Sequence, residues 1–250
     1  MHERLESWGT RGRLLLTTSF LLFGPVPLGA NPRSLGYSES TVIVPAPEGE
    51  VCPGTTLLQQ DDGDFESGYN WHGAGVQPPD YGSWAERYTS DFVCGIQLLL
   101  TQEGFYDGQT MDLYVWESVA EGNPPPGPDP GNALCVIRDV DPGPPADWPS
   151  ISTHDFQICC PTGGPHFVGF WPNWPGVFGA WYIAADENGA GDGCPRTKIA
   201  PGIGYDTGWS HPIGLFSHCR DLGIREHAGI GDCQATPSRR MTWGRIKGLY

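Results

Sequence analysis

The chain has 250 residues, and its 36 Gly and 25 Pro make up about a quarter of it, just below the level at which unpatterned Gly/Pro composition signals disorder. Ten Trp, nine Tyr and ten Phe exclude a solvated tail, because rings in that number need a core to bury them. A formal net charge of −15 disfavours nucleic acid and anionic membrane surfaces as partners. After residue 30, no window of twelve positions keeps a 3.6-residue apolar period free of Gly and Pro, which excludes helix bundles and coiled coils.

The first segment is weakly basic (Arg4, Arg11 and Arg13 against Glu3 and Glu6). A ten-residue apolar run from Leu14 to Phe23 follows, ending in Gly-Pro-Val-Pro-Leu-Gly-Ala30. That order reads as a secretory signal peptide over 1–30, its apolar run being too short to span a bilayer. Without it, 11 basic and 27 acidic residues remain, a net charge of −16. Residues 31–50 form an extended leader, in which 41–44 can add an edge strand before Pro45 and Pro47.

A single folded unit is expected over 51–233, with strands at 56–60, 92–101, 110–117, 133–140, 150–159, 167–171, 180–185 and 213–217. Gly/Pro/Asp-rich connectors separate them, the densest at 121–131. The fold class is all-β: a disulfide-stapled, jelly-roll-like β-sandwich with long loops. Cys52, Cys94, Cys135, Cys159, Cys160, Cys194, Cys219 and Cys233 are an even set in an exported chain, and disulfides are the default reading. Cys219 with Cys233 closes a short loop, and Cys135 with Cys159 or Cys160 would tie neighbouring strands. Adjacent Cys159 and Cys160 face opposite sides of a strand and take different partners. Zinc is the rival reading, but there is no Cys-x-x-Cys pair. Residues 234–250 carry Arg239, Arg240, Arg245 and Lys247 and no acid, and form a basic terminal tail.

Three motifs bear on chemistry. In 110–117, alternation puts Met111, Leu113 and Val115 on one face and Asp112, Tyr114 and Trp116 on the other. Two rings beside a carboxylate can stack on a sugar and accept a hydrogen bond from it, and Trp171, Trp174 and Trp209 extend the aromatic set. The alternative is that these rings are core. Oxygen-rich turns at 61–66 and 186–193 suggest a structural calcium held by Asp64, Asp186, Asn188 and Asp192. The second turn is no EF-hand, since its twelfth position is Thr197 rather than Glu, and solvated Asx turns are the alternative. For catalysis, Gly-x-Ser-x-Gly and His-Glu-x-x-His are both absent. Paired carboxylates for glycoside cleavage could be Asp112 and Glu117, with Glu86 and Glu103 as further candidates.

The stretch Asp61-Asp-Gly-Asp-Phe-Glu-Ser-Gly-Tyr-Asn-Trp71 resembles the opening of secreted jelly-roll modules, including carbohydrate-binding modules. The resemblance implies a first strand here and a calcium-ligand role for Glu66. With Val115-Trp116, Trp171-Pro-Asn-Trp-Pro-Gly176 and Ala200-Pro-Gly-Ile-Gly-Tyr205, most of 56–225 is also similar to an uncharacterised family of exported bacterial domains, often followed by a sorting segment that Thr242-Trp-Gly-Arg-Ile-Lys247 resembles. That family carries no activity across. The expectation is a secreted or cell-surface, non-catalytic binding module for carbohydrate or an extracellular protein. A glycan-cleaving enzyme and a self-assembling surface-layer or filament subunit are the alternatives.

Overall fold

A computed structural model describes residues 32–45, 52–72, 75–104, 109–120, 127–173, 181–189, 191, 193–216 and 218–229. The expected signal peptide over 1–30, the expected basic tail over 234–250, Trp174, Asp192 and Cys233 lie outside the described residues. In chain order the elements are β1 (Pro32–Ser34), β2 (Val42–Val44), β3 (Thr56–Leu58), β4 (Ser67–Trp71), β5 (Trp84–Gln102), β6 (Met111–Val119) and β7 (Asp129–Val140). They continue with β8 (Ala146–Asp147), β9 (Ser150–Pro172), β10 (Trp181–Asp186), β11 (Arg196–Ile199), β12 (Gly208–Ser210), α1 (Ile213–Phe216), β13 (Asp221–Leu222) and β14 (Ile224–Ala228). The protein is all-β, as its composition implies, and no described helix is long and apolar enough to cross a membrane.

The strands form one hydrogen-bonded system whose main path is β1-β4-β10-β5-β9-β6-β7. Its spine is the antiparallel pair β5 and β9, matched from Trp84↔Phe170 to Leu100↔Ser152. Two irregularities interrupt that ladder. Between Ser90↔Gly164 and Phe92↔Pro161, and again between Val93↔Cys160 and Gly95↔Gln157, β9 carries an extra residue. Both are bulges, and Gly163 (φ 66°) and Cys159 (φ 53°) take the left-handed backbone such insertions need. Bulges bend and twist a strand, so each long strand serves two wings. One wing is the first half of β5, the second half of β9, β6 and β7; the other holds β14, β3, β10, β4 and β1 beside the second half of β5.

The wings close over a common core, giving a sandwich-like arrangement: Leu98, Ile183 and Tyr69 of one share a cluster with Leu113, Val115 and Phe167 of the other. Gly169 lets the spine close, because a Cβ there would lie 2.0 Å from the Trp84 carbonyl oxygen.

The expected strands at 150–159 and 167–171 are one strand, because Pro161-Thr-Gly-Gly-Pro165 reads as a turn and is built as a bulge. The strand expected at 213–217 is instead the single turn α1. Pro212 starts it, its carbonyl accepting from Leu215 N and Phe216 N at 2.8 and 2.9 Å. Phe216 then plugs the core, stacked on Tyr69 at 4.3 Å and edge-on to Trp71 at 6.1 Å. The leader strand forms as expected, β2 pairing in parallel with the start of β9.

Among the described residues two disulfides are present, Cys52–Cys94 and Cys135–Cys160. The second does not join paired neighbours: β7 pairs with β6, and Cys135 reaches past it to the bend of β9. Cys160 is buried, whereas Cys159 is a half-buried free thiol in the bulge. Cys219 is a free, buried thiol, and Cys233, its expected partner, lies outside the described residues.

Candidate functional site

The residues expected to make an aromatic platform come together as a packed layer. Tyr114 and Trp116 stack at 4.8 Å, yet they are only 2% and 3% exposed. β6 is buried on both faces from Met111 to Trp116, so the side assigned to solvent faces the core. The Tyr114 hydroxyl is satisfied, donating to Asp80 Oδ1 at 2.8 Å. Trp171 is buried too and donates to the Tyr81 carbonyl at 2.8 Å. Trp209, half-buried, meets Trp116 edge-on at 5.3 Å, and the Lys198 ammonium lies 5.8 Å from its ring centre. Trp209 alone among the described members keeps a partly accessible ring.

Asp112 is buried and fully engaged: it accepts from Arg138 Nη1 at 2.5 Å, from Asp139 N at 2.9 Å and from Asn173 Nδ2 at 3.1 Å. Glu117 is held by Asn132 at 3.1 Å. From 111 to 117, β6 pairs with β9 without interruption, so Asp112 and Glu117 point to opposite faces. Five residues of strand put them roughly 17 Å apart. Glycosidase carboxylates sit about 5–9.5 Å apart on one cleft, so this pair cannot perform that reaction. Ser90, His166 and Glu226 form no hydrolase triad either. Ser90 Oγ donates to Glu226 Oε1 at 2.5 Å and His166 Nε2 lies 2.8 Å from Oε2, so the carboxylate stands between hydroxyl and imidazole.

The calcium set is partly assembled. Glu66 accepts from Glu187 N at 2.8 Å and from the Asn188 side-chain amide. Asp186 accepts from Asp62 N, Asn188 N and Gly189 N at 3.0, 3.0 and 2.6 Å. Burial raises the pKa of both Glu66 and Asp186. Asp64 is turned away, capping Phe65 N at 3.1 Å and accepting from Thr41 at 3.3 Å. N–H donors therefore occupy the oxygens a cation would use, and the described residues hold no group of three or more His, Cys, Asp or Glu arranged for a metal. As placed, the set does not fit the ion.

Sequence reasoning named Glu86 only as a further glycosidase candidate and did not pair it with Asp221, which lies buried beside it. Glu86 on β5 is fully buried; Oε1 accepts from Cys194 N at 2.7 Å and Arg87 N at 3.1 Å, and Oε2 from Leu222 N at 3.2 Å. Burial and the neighbouring Asp221 carboxylate push its pKa up to about 8. Asp221, also buried, accepts from Gly193 N at 3.0 Å, and its Oδ2 has no partner. Burial raises its pKa to about 6. The signal for Glu86 lay in its parity, since 84, 86 and 88 share one face and Trp84 and Tyr88 are core rings.

Two cavities flank this pair. A cleft of about 460 Å³ opens between the end of β3 and the bend of β5, edged by Leu57, Gln59, Gln60, Arg87 and Thr89. Gln60 Nε2 donates to the Arg87 carbonyl at 3.1 Å and Arg87 Nε to Ser118 Oγ at 3.3 Å, which pins the floor, while Gln59 and Thr89 remain exposed. A smaller cavity of about 320 Å³ lies beside Cys194, Arg196, His211, Cys219 and Arg220. His211 Nδ1 accepts from Ile213 N at 3.1 Å, and burial with the nearby Arg196 and Arg220 lowers its pKa to about 4, leaving a neutral ring at pH 7. Gln59, Gln60, Arg87 and Thr89 carried no motif and were invisible in the sequence. No family model matches the chain, and no match was found among curated proteins or solved structures.

Proposed function

We propose that this protein is a secreted or cell-surface, non-catalytic binding module, and that carbohydrate is its ligand class. The cleft of about 460 Å³ carries this reading: it sets two amides, a guanidinium and a hydroxyl beside the exposed Leu57. Sugars present hydroxyl rims and apolar C–H faces, and side chains that donate and accept next to an apolar patch complement both. Export rests on the signal-like segment 1–30 and on the two disulfides. The jelly-roll connectivity and the likeness to carbohydrate-binding modules belong to this proposal.

Retention on immobilised polysaccharides tests it. Arg87→Ala and Gln59→Ala each weaken binding at least ~10-fold while thermal unfolding stays cooperative; lack of retention of the wild-type protein on any glycan overturns the proposal. Self-assembly is favoured by β7, an outer strand that pairs with β6 alone and exposes Leu134. A strict monomer by light scattering at high concentration refutes it.

A further inference from the structure

We propose that Cys194 and Cys219 are partners that close a third disulfide. The segments carrying them run side by side. A Cβ on Gly191 would stand 3.3 Å from Arg220 Cδ, and Gly193 N donates to Asp221 Oδ1 at 3.0 Å. Glu86 clamps both segments, taking Cys194 N on one oxygen at 2.7 Å and Leu222 N on the other at 3.2 Å. Both cysteines then line the same cavity of about 320 Å³.

Neither thiol is committed elsewhere. Cys194 Sγ lies 3.7 Å from the Pro128 carbonyl and Cys219 Sγ 3.9 Å from the Asp221 carbonyl, the weak contacts of an S–H donor. Cys52, Cys94, Cys135 and Cys160 are already paired, and Cys159 sits in the β9 bulge on another strand. Burial raises the pKa of both thiols, which suits a bond that forms slowly and resists reduction once made.

The oxidant is a disulfide donor such as oxidised glutathione. The half-buried Cys194, as thiolate, attacks one donor sulfur, breaking the donor S–S bond and releasing one reduced thiol. Cys219 loses its proton to water, attacks Cys194 Sγ in the mixed disulfide and expels the second reduced thiol. One donor is reduced and two protein thiols are oxidised. Because Cys194 also borders the larger cleft, the bond fixes the wall between the two cavities.

Peptide mapping of the full chain after incubation with oxidised glutathione, denatured in iodoacetamide without reductant, tests this. Trypsin with an acid-specific protease separates Cys194 from Cys159 and Cys160 at Asp192. A peptide linking Cys194 to Cys219 is expected, with neither residue alkylated, and reduction frees both. Cys194→Ser leaves Cys219 as one additional alkylatable thiol, and Cys219→Ser leaves Cys194. Full alkylation of either residue in the oxidised wild-type protein, or a peptide linking Cys219 to Cys233, overturns the pairing.

Discussion

Glu86 makes the stability of this protein fall as pH rises through neutrality. Its carboxyl is buried beside Asp221, and burial with that neighbour carries its pKa from 4.5 to about 8. Between those values the folded chain holds a proton that the unfolded chain has released. The resulting stabilisation is complete below about pH 4.5 and is lost as pH climbs through about 8. A displacement of that size corresponds to about 5 kcal/mol. Burial is the larger cause and the Asp221 carboxylate the next, so the two groups do not titrate independently. Glu86→Gln removes the titration while its side-chain oxygen still accepts from Cys194 N and Arg87 N. Urea denaturation at several pH values from 5 to 8 should show the wild-type midpoint dropping, and the variant holding level or dropping far less. Parallel curves, or a wild-type midpoint that rises over this range, would refute the reasoning.

Trp116→Ala should cost about 3–5 kcal/mol in urea denaturation, because the ring is packed against Tyr114 and Trp209 in the interior; a loss below ~1 kcal/mol would place it on the surface. Gly169→Ala should cost at least ~2 kcal/mol, since the new methyl meets the Trp84 carbonyl at 2.0 Å and the spine must part. An unaffected Tm would show that the contact is relieved elsewhere. Arg225 forks onto both oxygens of the buried Asp61 at 3.0 and 2.5 Å. Arg225→Ala, which strands that charge, should cost about 3–5 kcal/mol, and Asp61→Asn in the same chain should recover part of it. A double variant no more stable than Arg225→Ala would deny the stranded charge its role.

Fold class was legible because alternation and turn chemistry are local. The runs at 110–117 and 133–140 needed only their own residues to read as strands, and β6 and β7 stand there. Failures came where a distant partner overrides local chemistry. Pro161-Thr-Gly-Gly-Pro165 has every mark of a turn, but β5 lies alongside and converts it into a bulge. The face of β6 holding Tyr114 and Trp116 was ambiguous for the same reason: a strand covered on both sides keeps the alternation of one covered on a single side. Asp186 and Asn188 stand out by oxygen content and Glu66 by the resemblance to jelly-roll modules, and they do meet, but the N–H donors that occupy them belong to turns whose shape the sequence does not disclose. Gln59, Gln60, Arg87 and Thr89 border a cleft only because β5 bends, and composition carries no record of that bend.

The bent spine of β5 and β9 also governs how the molecule is made. Pairs such as Trp84↔Phe170 join residues far apart in the chain, and both wings hang on those two strands. Neither half can acquire a stable sheet before the other, so limited proteolysis should yield no persistent fragment, and refolding should run on the millisecond-to-second scale of non-local β topologies. While the spine is open, the edges of both wings are unpaired, and this is the interval in which the chain is most exposed to aggregation.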